Sequence, residues 1–300
     1  MKKNQVAAVV VTYNRLTMLQ KCIESLCSQT TPCDILVVNN ASTDDTAQWL
    51  EARQEASILT TRNTGTNLGG AGGFNFGMRW AVEDGYEYLW LMDDDCLPEP
   101  DALEKLLEAD RLLDGKYGWL SSKALWTDGS ECRMNRQKLK KRSGESSLFV
   151  KDGLVQAVQA TFVSLFLRTE TVQAFGLPIK EFFIWGDDIE YTRRIAVRGK
   201  RPSFVAGQSQ VIHAMKDNGG SSIATDPERI DRYRYAYRNE AFTFRQEGIR
   251  GICFYLAKCG LNFCRIIVKA PDQKGKRIRV LFGSMISGMF FNPKTEKIEG

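Results

Sequence analysis

Three consecutive carboxylates, Asp93-Asp94-Asp95, follow directly on the apolar run Tyr86-Glu87-Tyr88-Leu89-Trp90-Leu91-Met92. Adjacent aspartates repel one another and have poor strand propensity, so a plain strand has no reason to end this way. A divalent cation bridging to a phosphate removes that repulsion, because hard oxygen ligands suit Mg2+ or Mn2+. A solvated acidic turn is the bland alternative. His213 is the sole histidine and closes an apolar segment. Such an imidazole is ordinarily a core or hydrogen-bonding group, but beside a carboxylate cluster it completes a ligand set common for Mn2+. With no second histidine, a histidine-rich zinc site is excluded.

A second acidic run, Trp185-Gly186-Asp187-Asp188-Ile189-Glu190-Tyr191, sits where a helix should begin. Favourable placement at a helix N-terminus explains one aspartate. It does not explain two aspartates and a glutamate beside Phe182-Phe183-Ile184-Trp185. A carboxylate held against an apolar wall can have its pKa raised enough to act as a general base. The glycine-rich stretch Asn67-Leu68-Gly69-Gly70-Ala71-Gly72-Gly73 fits neither nucleotide signature. A dinucleotide fingerprint needs glycines in the turn after the first strand, here Thr12-Tyr13-Asn14-Arg15, and a P-loop does not end in Gly73-Phe74. What remains is either a helix N-terminus stripped of side chains, open to a ligand at its backbone amides, or a tight turn with close helix packing.

The elements that must position these groups alternate over the first hundred residues. Val6 to Thr12 is a β-branched run expected of a buried strand, and Leu16, Leu19, Ile23 and Leu26 recur at helical spacing. Asp34 to Val38 predicts a second strand, with Ser42 or Thr43 capping a helix through Ala47, Trp49 and Leu50. Ile58 to Thr61 predicts a third strand, the glycine-rich loop leads into a helix with Phe74, Met78 and Ala81, and Tyr86 to Met92 is the fourth strand. Pro98 should open a helix through Leu103, Leu106 and Leu107. Such alternation implies a doubly wound, mostly parallel α/β sheet, with ligands at the carboxyl ends of its strands. Further on, Trp119 to Leu125, Val155 to Leu167, Ser203 to Ala206 and Gln210 to His213 read as strands, and Arg133 to Gly144 as a basic, mobile loop. Beyond Asp226 only helices are expected, over Pro227 to Arg245, Gly251 to Val268 and Ile278 to Phe290. The division expected is a catalytic domain over residues 1–225, with a nucleotide-binding half at 1–95 and an acceptor half at 96–225, and a helical appendage at 226–300.

The chain has 300 residues, 43% hydrophobic, and a formal charge of +5, which allows one large α/β domain with an appendage. The basic excess lies in the tail, which could meet anionic lipid, nucleic acid or water; no nucleic-acid-binding motif accompanies it, so nucleic acid is not expected. The eight cysteines include no CxxC pair and fit reduced thiols in a cytoplasmic protein. Lys2-Lys3 before Val6 to Val11 is too short for a signal peptide, and no stretch reads as long enough to cross a bilayer. In the tail, Ile252, Tyr255, Leu256, Cys259, Phe263, Ile266 and Ile267 recur at helical spacing beside Lys258, Arg265 and Lys269. That stripe predicts either peripheral contact with the inner face of a membrane or packing on the catalytic domain.

In this order the motifs Val10-Val11-Thr12-Tyr13-Asn14-Arg15, Val38-Asn39-Asn40-Ala41-Ser42-Thr43-Asp44, Asn67 to Phe74, Met92-Asp93-Asp94-Asp95, Trp185 to Tyr191 and His213 make the chain resemble an inverting family-2 glycosyltransferase of the GT-A fold. It is most similar to galactofuranosyltransferase-like and rhamnosyltransferase-like members. The resemblance covers roughly residues 6 to 215 and implies a nucleotide-sugar donor, UDP-galactofuranose, dTDP-rhamnose or a related UDP-sugar, and a cell-surface or lipid-linked glycan acceptor. It implies that Thr12, Tyr13, Asn14 and Arg15 border the nucleotide. Asn39 stands where the family usually has an aspartate holding uracil, which leaves the base more open. Asn67, Gly69, Gly70 and Gly72 would wrap the donor, with Asp93, Asp94 and Trp185 beside it. Asp93, Asp95 and His213 would hold Mn2+ or Mg2+, Asp188 would be the base, and Asp187 would orient the acceptor. A sugar nucleotidyltransferase shares the doubly wound half but carries a glycine-rich basic signature after the first strand that is missing here. A catalytically silent glycan-binding subunit would have no use for Asp93, Asp95, Asp188 and His213.

Overall fold

The structure is a computed structural model that describes residues 4–140, 153–220 and 222–298. Its centre is a twisted sheet. Strands β1 (Val6–Thr12), β2 (Asp34–Asn39), β3 (Thr60–Asn63) and β4 (Tyr88–Asp93) are parallel, with β1 paired to both β2 and β4. Every residue of β1 is buried, which is why its sequence shows no alternation. Helices α1 (Leu16–Cys27) and α2 (Thr46–Glu55) supply the first crossovers, followed by α3 (Gly69–Glu83). Sheet growth continues through β5 (Cys96–Pro98), α4 (Ala102–Leu112), β6 (Leu120–Leu125), β7 (Lys138–Leu139), β8 (Leu154–Gln159), β9 (Leu165–Arg168), α5 (Thr169–Phe175), α6 (Asp187–Arg193) and β10 (Phe204–His213). The strand order is β3-β2-β1-β4-β9-β6-β10-β8-β7, with β5 pairing β10. Two apolar layers cover the faces, one around Trp90 and Phe166, the other around Trp119 and Leu165.

The expected α/β class with a mostly parallel sheet and helices at the C-terminus is observed, but several local expectations change. Strand β9 runs antiparallel to both neighbours, β4 and β6, between the two parallel halves. The Val155 to Leu167 stretch divides into β8 and β9 at a 3-10 turn, Phe162–Ser164. Pro98 opens no helix. It lies in β5 opposite Val211, at an edge position where a missing N–H breaks no ladder, and the helix begins at Ala102. The two short strands around Gly207 are one strand with a register shift between Ala206 and Gln210. The third strand lies two residues later than expected. Asp44, not Ser42 or Thr43, receives the Thr46 N–H where α2 starts. Within the basic Arg133 to Gly144 segment, a 3-10 turn, Arg133–Asn135, and β7 form, while residues 141–144 lie outside the described residues.

The C-terminal helices α7 (Tyr233–Arg245), α8 (Gly248–Lys269) and α9 (Lys274–Phe290) are stitched to the sheet domain. The start of α7 falls later than Pro227 because a 3-10 turn, Ile230–Arg232, precedes it. Buried Arg193 of α6 makes a two-pronged pair with Glu247, at 2.6 Å for both Nε and the terminal nitrogen. Glu296 pairs with Arg79 at 2.8 Å and with Lys180. On α8 the apolar stripe is split. Tyr255, Cys259 and Ile266 pack into the α7–α9 core, whereas Phe254, Leu256, Leu261, Ile267 and Val268 are exposed. Contrary to the expectation of no spanning stretch, α8 is long and apolar enough by length and composition to cross a membrane, with 28% of its apolar window buried. Its interrupting charges are few enough to leave such a window.

Candidate active site

At the carboxyl end of β4 the chain turns through Asp94 and Asp95 into β5, which pairs antiparallel with β10. The register sets His213 opposite Cys96. A strand pairing thus brings His213 to Asp95 across 118 residues of sequence, with Nε2 and Oδ1 at 3.1 Å. One ligand atom each from Asp93, Asp95 and His213 lies within 4.8 Å of the others. Two carboxylates and an imidazole form a hard oxygen set with one nitrogen, which fits Mn2+ or Mg2+. Nδ1 of His213 donates to Asn135 Oδ1 at 2.6 Å, and the Cys132 thiol donates to the same oxygen at 2.9 Å. That bond orients the ring and directs Nε2 at the carboxylates.

The three aspartates are not equivalent. Asp93 is half-buried, and its pKa is pushed up to about 7 by burial and by the charge of Asp95, against His213. Asp94 rises to about 6 through burial, despite Arg15 and the 2.7 Å bond from Thr12 Oγ1. Burial acts the same way on Asp95, but the hydrogen bond and charge of His213, with Arg15 beside it, win and hold it at about 2. Burial alone would lower His213; its bonds to Asp95 and Cys132 and the carboxylate charges raise it to about 10. Arg15 spans Asp94 at 3.0 Å and Asp95 at 2.6 Å.

Around this cluster the remaining motif residues take up distinct places. Asn14 has φ 53, a left-handed conformation asparagine tolerates, and its Oδ1 receives the Thr43 N–H at 2.7 Å, tying the β1 and β2 loops together. Tyr13 is exposed. Buried Asn39 accepts the Ser42 N–H at 2.9 Å. Asn40, to which sequence reasoning assigned no role, holds the glycine segment: its Nδ2 donates to the Gly69 carbonyl at 3.0 Å and its Oδ1 receives the Leu68 N–H at 2.9 Å. The glycine-rich loop is in fact the first turns of α3. A Cβ on Gly73 or Gly77 would lie 2.5 Å from Val11 or Val9, so these glycines let the helix sit close on β1. Gly70 meets nothing and faces open space.

The second acidic run begins α6 after a strained loop. Phe183 (φ 63), Trp185 (φ 63) and Gly186 (φ 88) all occupy positive φ, a cost of roughly 1–3 kcal/mol for each non-glycine. Asn239 of α7 compensates, with Nδ2 donating to the carbonyls of Phe182 at 3.0 Å and Trp185 at 2.8 Å. Trp185 packs at a tilt against Tyr233 of α7, with ring centroids 5.1 Å apart. The Phe183 carbonyl accepts the Ala71 N–H at 3.1 Å, joining this loop to α3. Glu190 is structural: it is buried against Arg194, with Arg198 at 3.2 Å. Asp187 and Asp188 are left at the mouth of α6. Burial raises Asp187 well above the carboxylate range, followed by the charge of Asp188, and Asp93 also contributes; burial lifts Asp188 to about 6. The charges of this pair and of Asp93 act on one another.

The glycosyl transferase family 2 profile matches residues 7–111, which hold the β1 to β4 loops and the three aspartates. Galactofuranosyltransferase GlfT1 of Mycobacterium tuberculosis is 30% identical over 286 residues, covering 90% of this chain and 91% of that protein. The chain belongs to glycosyltransferase family 2. An undecaprenyl-phosphate mannosyltransferase of Micrococcus luteus is 30% identical over 201 residues, 66% of this chain and 80% of that one. Among solved structures, S. aureus TarS shares the fold with a TM-score of 0.54 at 17% identity, covering 95% of this chain and 44% of TarS. GalNAc-T7, solved with UDP, GalNAc and Mn2+, gives 0.58 at 12% identity over 86% of this chain and 54% of that one. This family-2 glycosyltransferase accordingly has the GT-A fold. Asn135, Asn40 and Asn239 escaped the sequence reading because each acts through backbone or imidazole partners distant in the chain.

Proposed function

We propose that this glycosyltransferase moves a sugar from a UDP- or dTDP-linked donor, with UDP-galactofuranose and dTDP-rhamnose the first candidates, to a hydroxyl of a cell-surface or lipid-linked glycan, with inversion at the anomeric carbon. The observation that carries the reading is the Asp93–Asp95–His213 cluster, which feels the charge of Asp188 at the mouth of α6. The two bacterial relatives, a galactofuranosyltransferase and an undecaprenyl-phosphate mannosyltransferase, support the donor and the lipid-linked acceptor. Asp93, Asp95 and His213 would hold Mn2+ or Mg2+, which when bound supplies Lewis-acid neutralisation of the departing diphosphate.

The chain's own residues do the rest. Asn39 commits its Oδ1 to Ser42; its amide NH2 is the group offered to a pyrimidine carbonyl, common to uracil and thymine. Thr12, Tyr13, Asn14 and Arg15 border the nucleotide, and Asn67, Gly69, Gly70 and Gly72 present the open start of α3 to the donor, with Asp94 and Trp185 at its margins. Asp188 takes the proton of the acceptor hydroxyl as that oxygen attacks the anomeric carbon. The bond to the diphosphate breaks on the opposite face, through an oxocarbenium-like state as in glycoside hydrolysis. Asp187, whose protonated form burial and the charge of Asp188 favour, orients the acceptor by a hydrogen bond. The exposed apolar face of α8 and the basic tail support peripheral contact with the inner face of a membrane, beside a lipid-linked acceptor.

A screen of sugar nucleotides by thermal shift, with and without Mn2+, tests the reading. A cognate donor raises Tm only with the metal and is slowly hydrolysed to the nucleoside diphosphate. Release of pyrophosphate from a nucleoside triphosphate would instead identify a nucleotidyltransferase, and donor binding without hydrolysis or transfer would identify a binding subunit.

A further inference from the structure

Between α7 and α9 lies a cleft of about 440 Å³ lined by Arg234, Tyr235, Arg238 and Arg279, with Gly283 and Ser287 completing its wall. The buried or half-buried guanidiniums of Arg15, Arg168, Arg193 and Arg277 each meet a carboxylate. Among the described residues no acidic partner reaches the three in the cleft. Arg238 donates to the carbonyls of Glu181 and Phe182 and to Asn239 Oδ1, and Arg234 donates to the Tyr235 hydroxyl at 2.9 Å. Burial lowers the pKa of Arg238, Tyr235 acts against it, and the charge of Arg234 adds a smaller lowering.

The helix wall carries an independent sign. Gly283 and Gly288 both lie inside α9, where glycine weakens a helix. Gly288 has a packing reason, since a Cβ there would lie 2.5 Å from the Ala241 Cβ. Gly283 has none: a Cβ would meet no atom within 4 Å, and the residue opens directly on the cleft. Beside it on the same helix, Phe282 and Ile286 are exposed, as are Met289 and Phe290 at its end. A charged cleft thus adjoins an apolar ridge. It also touches the catalytic loop, because Tyr235 packs its ring 5.3 Å from Phe183.

We propose that this cleft binds the phosphate or diphosphate of an amphiphilic lipid, the three guanidiniums taking the anion and the α9 ridge meeting the hydrocarbon chain. Forked guanidiniums match phosphate oxygens in pairs, and an amphiphile alone uses both halves of the surface. The proposal rests on the membrane-facing reading above for the source of the anion.

Calorimetry with inorganic pyrophosphate in EDTA, which removes metal bridging at Asp93 and Asp95, tests the cleft by itself. Saturable binding to the full chain should weaken at least tenfold in the Arg234→Ala/Arg279→Ala double variant and in Gly283→Glu, whose Cβ meets no atom within 4 Å and whose carboxylate repels an anion in the cleft. Donor hydrolysis, which needs no acceptor, should stay at the wild-type rate in both. Co-sedimentation then separates the sources: phosphatidylcholine vesicles carrying a prenyl diphosphate or phosphatidylglycerol should capture the wild type and release the variants. Equal pyrophosphate binding by the wild type and both variants, or none by the wild type, overturns the site. Variant-sensitive pyrophosphate binding with no capture by either doped vesicle overturns the lipid assignment and leaves a site for free phosphate. Loss of donor hydrolysis in the wild type would instead fail the glycosyltransferase reading and leave the pyrophosphate result standing.

Discussion

Replacing Gly69 by alanine should damage the active site through backbone geometry alone. Gly69 has φ +69, and a Cβ there would lie 2.0 Å from the Phe183 carbonyl oxygen and 2.6 Å from its carbon. A left-handed conformation costs an alanine about 1–2 kcal/mol. The contact is far inside any real van der Waals distance, so Phe183 must move, and its hydrogen bond from Ala71 is lost at about 1 kcal/mol. The total is about 2–3 kcal/mol. The neighbouring Gly70→Ala is the internal control: nothing lies within 4 Å of its Cβ, and alanine favours the helix by up to about 1 kcal/mol. Two substitutions one residue apart should therefore differ by about 3 kcal/mol in urea unfolding. Displacement of Phe183 also shifts the 183–186 loop that sets Asp187 and Asp188. Steady-state kinetics should show Gly69→Ala losing kcat at a temperature where circular dichroism still reports a folded protein, while Gly70→Ala alters mainly donor KM. Equal stability and equal kcat for the two variants would refute the coupling of α3 to the catalytic loop.

Asp188→Asn should retain donor binding by calorimetry and lose turnover by orders of magnitude; the same loss in Asp187→Asn with none in Asp188→Asn would exchange their roles. Because burial lifts Asp188 to about 6 and the base must be unprotonated, kcat/KM should fall about tenfold per pH unit below about pH 6 and level off above it, and a limb that persists in Asp188→Asn would assign it elsewhere. Asn135→Ala removes the acceptor that orients His213, so Mn2+ affinity by calorimetry should weaken about 10–100-fold with Tm little changed. Glu247→Ala leaves Arg193 buried without its carboxylate and should cost about 3 kcal/mol in chemical denaturation; an unchanged midpoint would show the α6–α8 joint to be energetically neutral.

Much of the fold over residues 1–95 was legible because its signals are local. The continuous apolar run of β1, the helical spacing of α1 and the arrest of β4 at three aspartates each record a burial pattern within a few residues, and the motifs matched in family order. Glycine spacing was legible as close approach but not as what approaches: Val9 and Val11 on one side and the Phe183 carbonyl on the other belong to segments elsewhere in the chain. The helical tail was read as an appendage since its amphipathic stripe names a buried face and no partner. The buried part of that stripe packs into the α7–α9 core, and Arg193–Glu247 and Glu296 with Arg79 tie the tail to the sheet.

Residue types and their order determined the fold class, the candidate metal ligands and the acidic pair, because propensity and carboxylate repulsion act over short stretches of chain. Tertiary structure alone decided which of them meet. The β5–β10 pairing brings His213 to Asp95, the reversal of β9 joins the two halves of the sheet, Arg194 withdraws Glu190 from the acidic run, and α7 gathers arginines against α9 without counter-ions. Register and packing between distant segments are settled by the joint burial of whole faces, and that condition leaves no trace at any one position in the sequence.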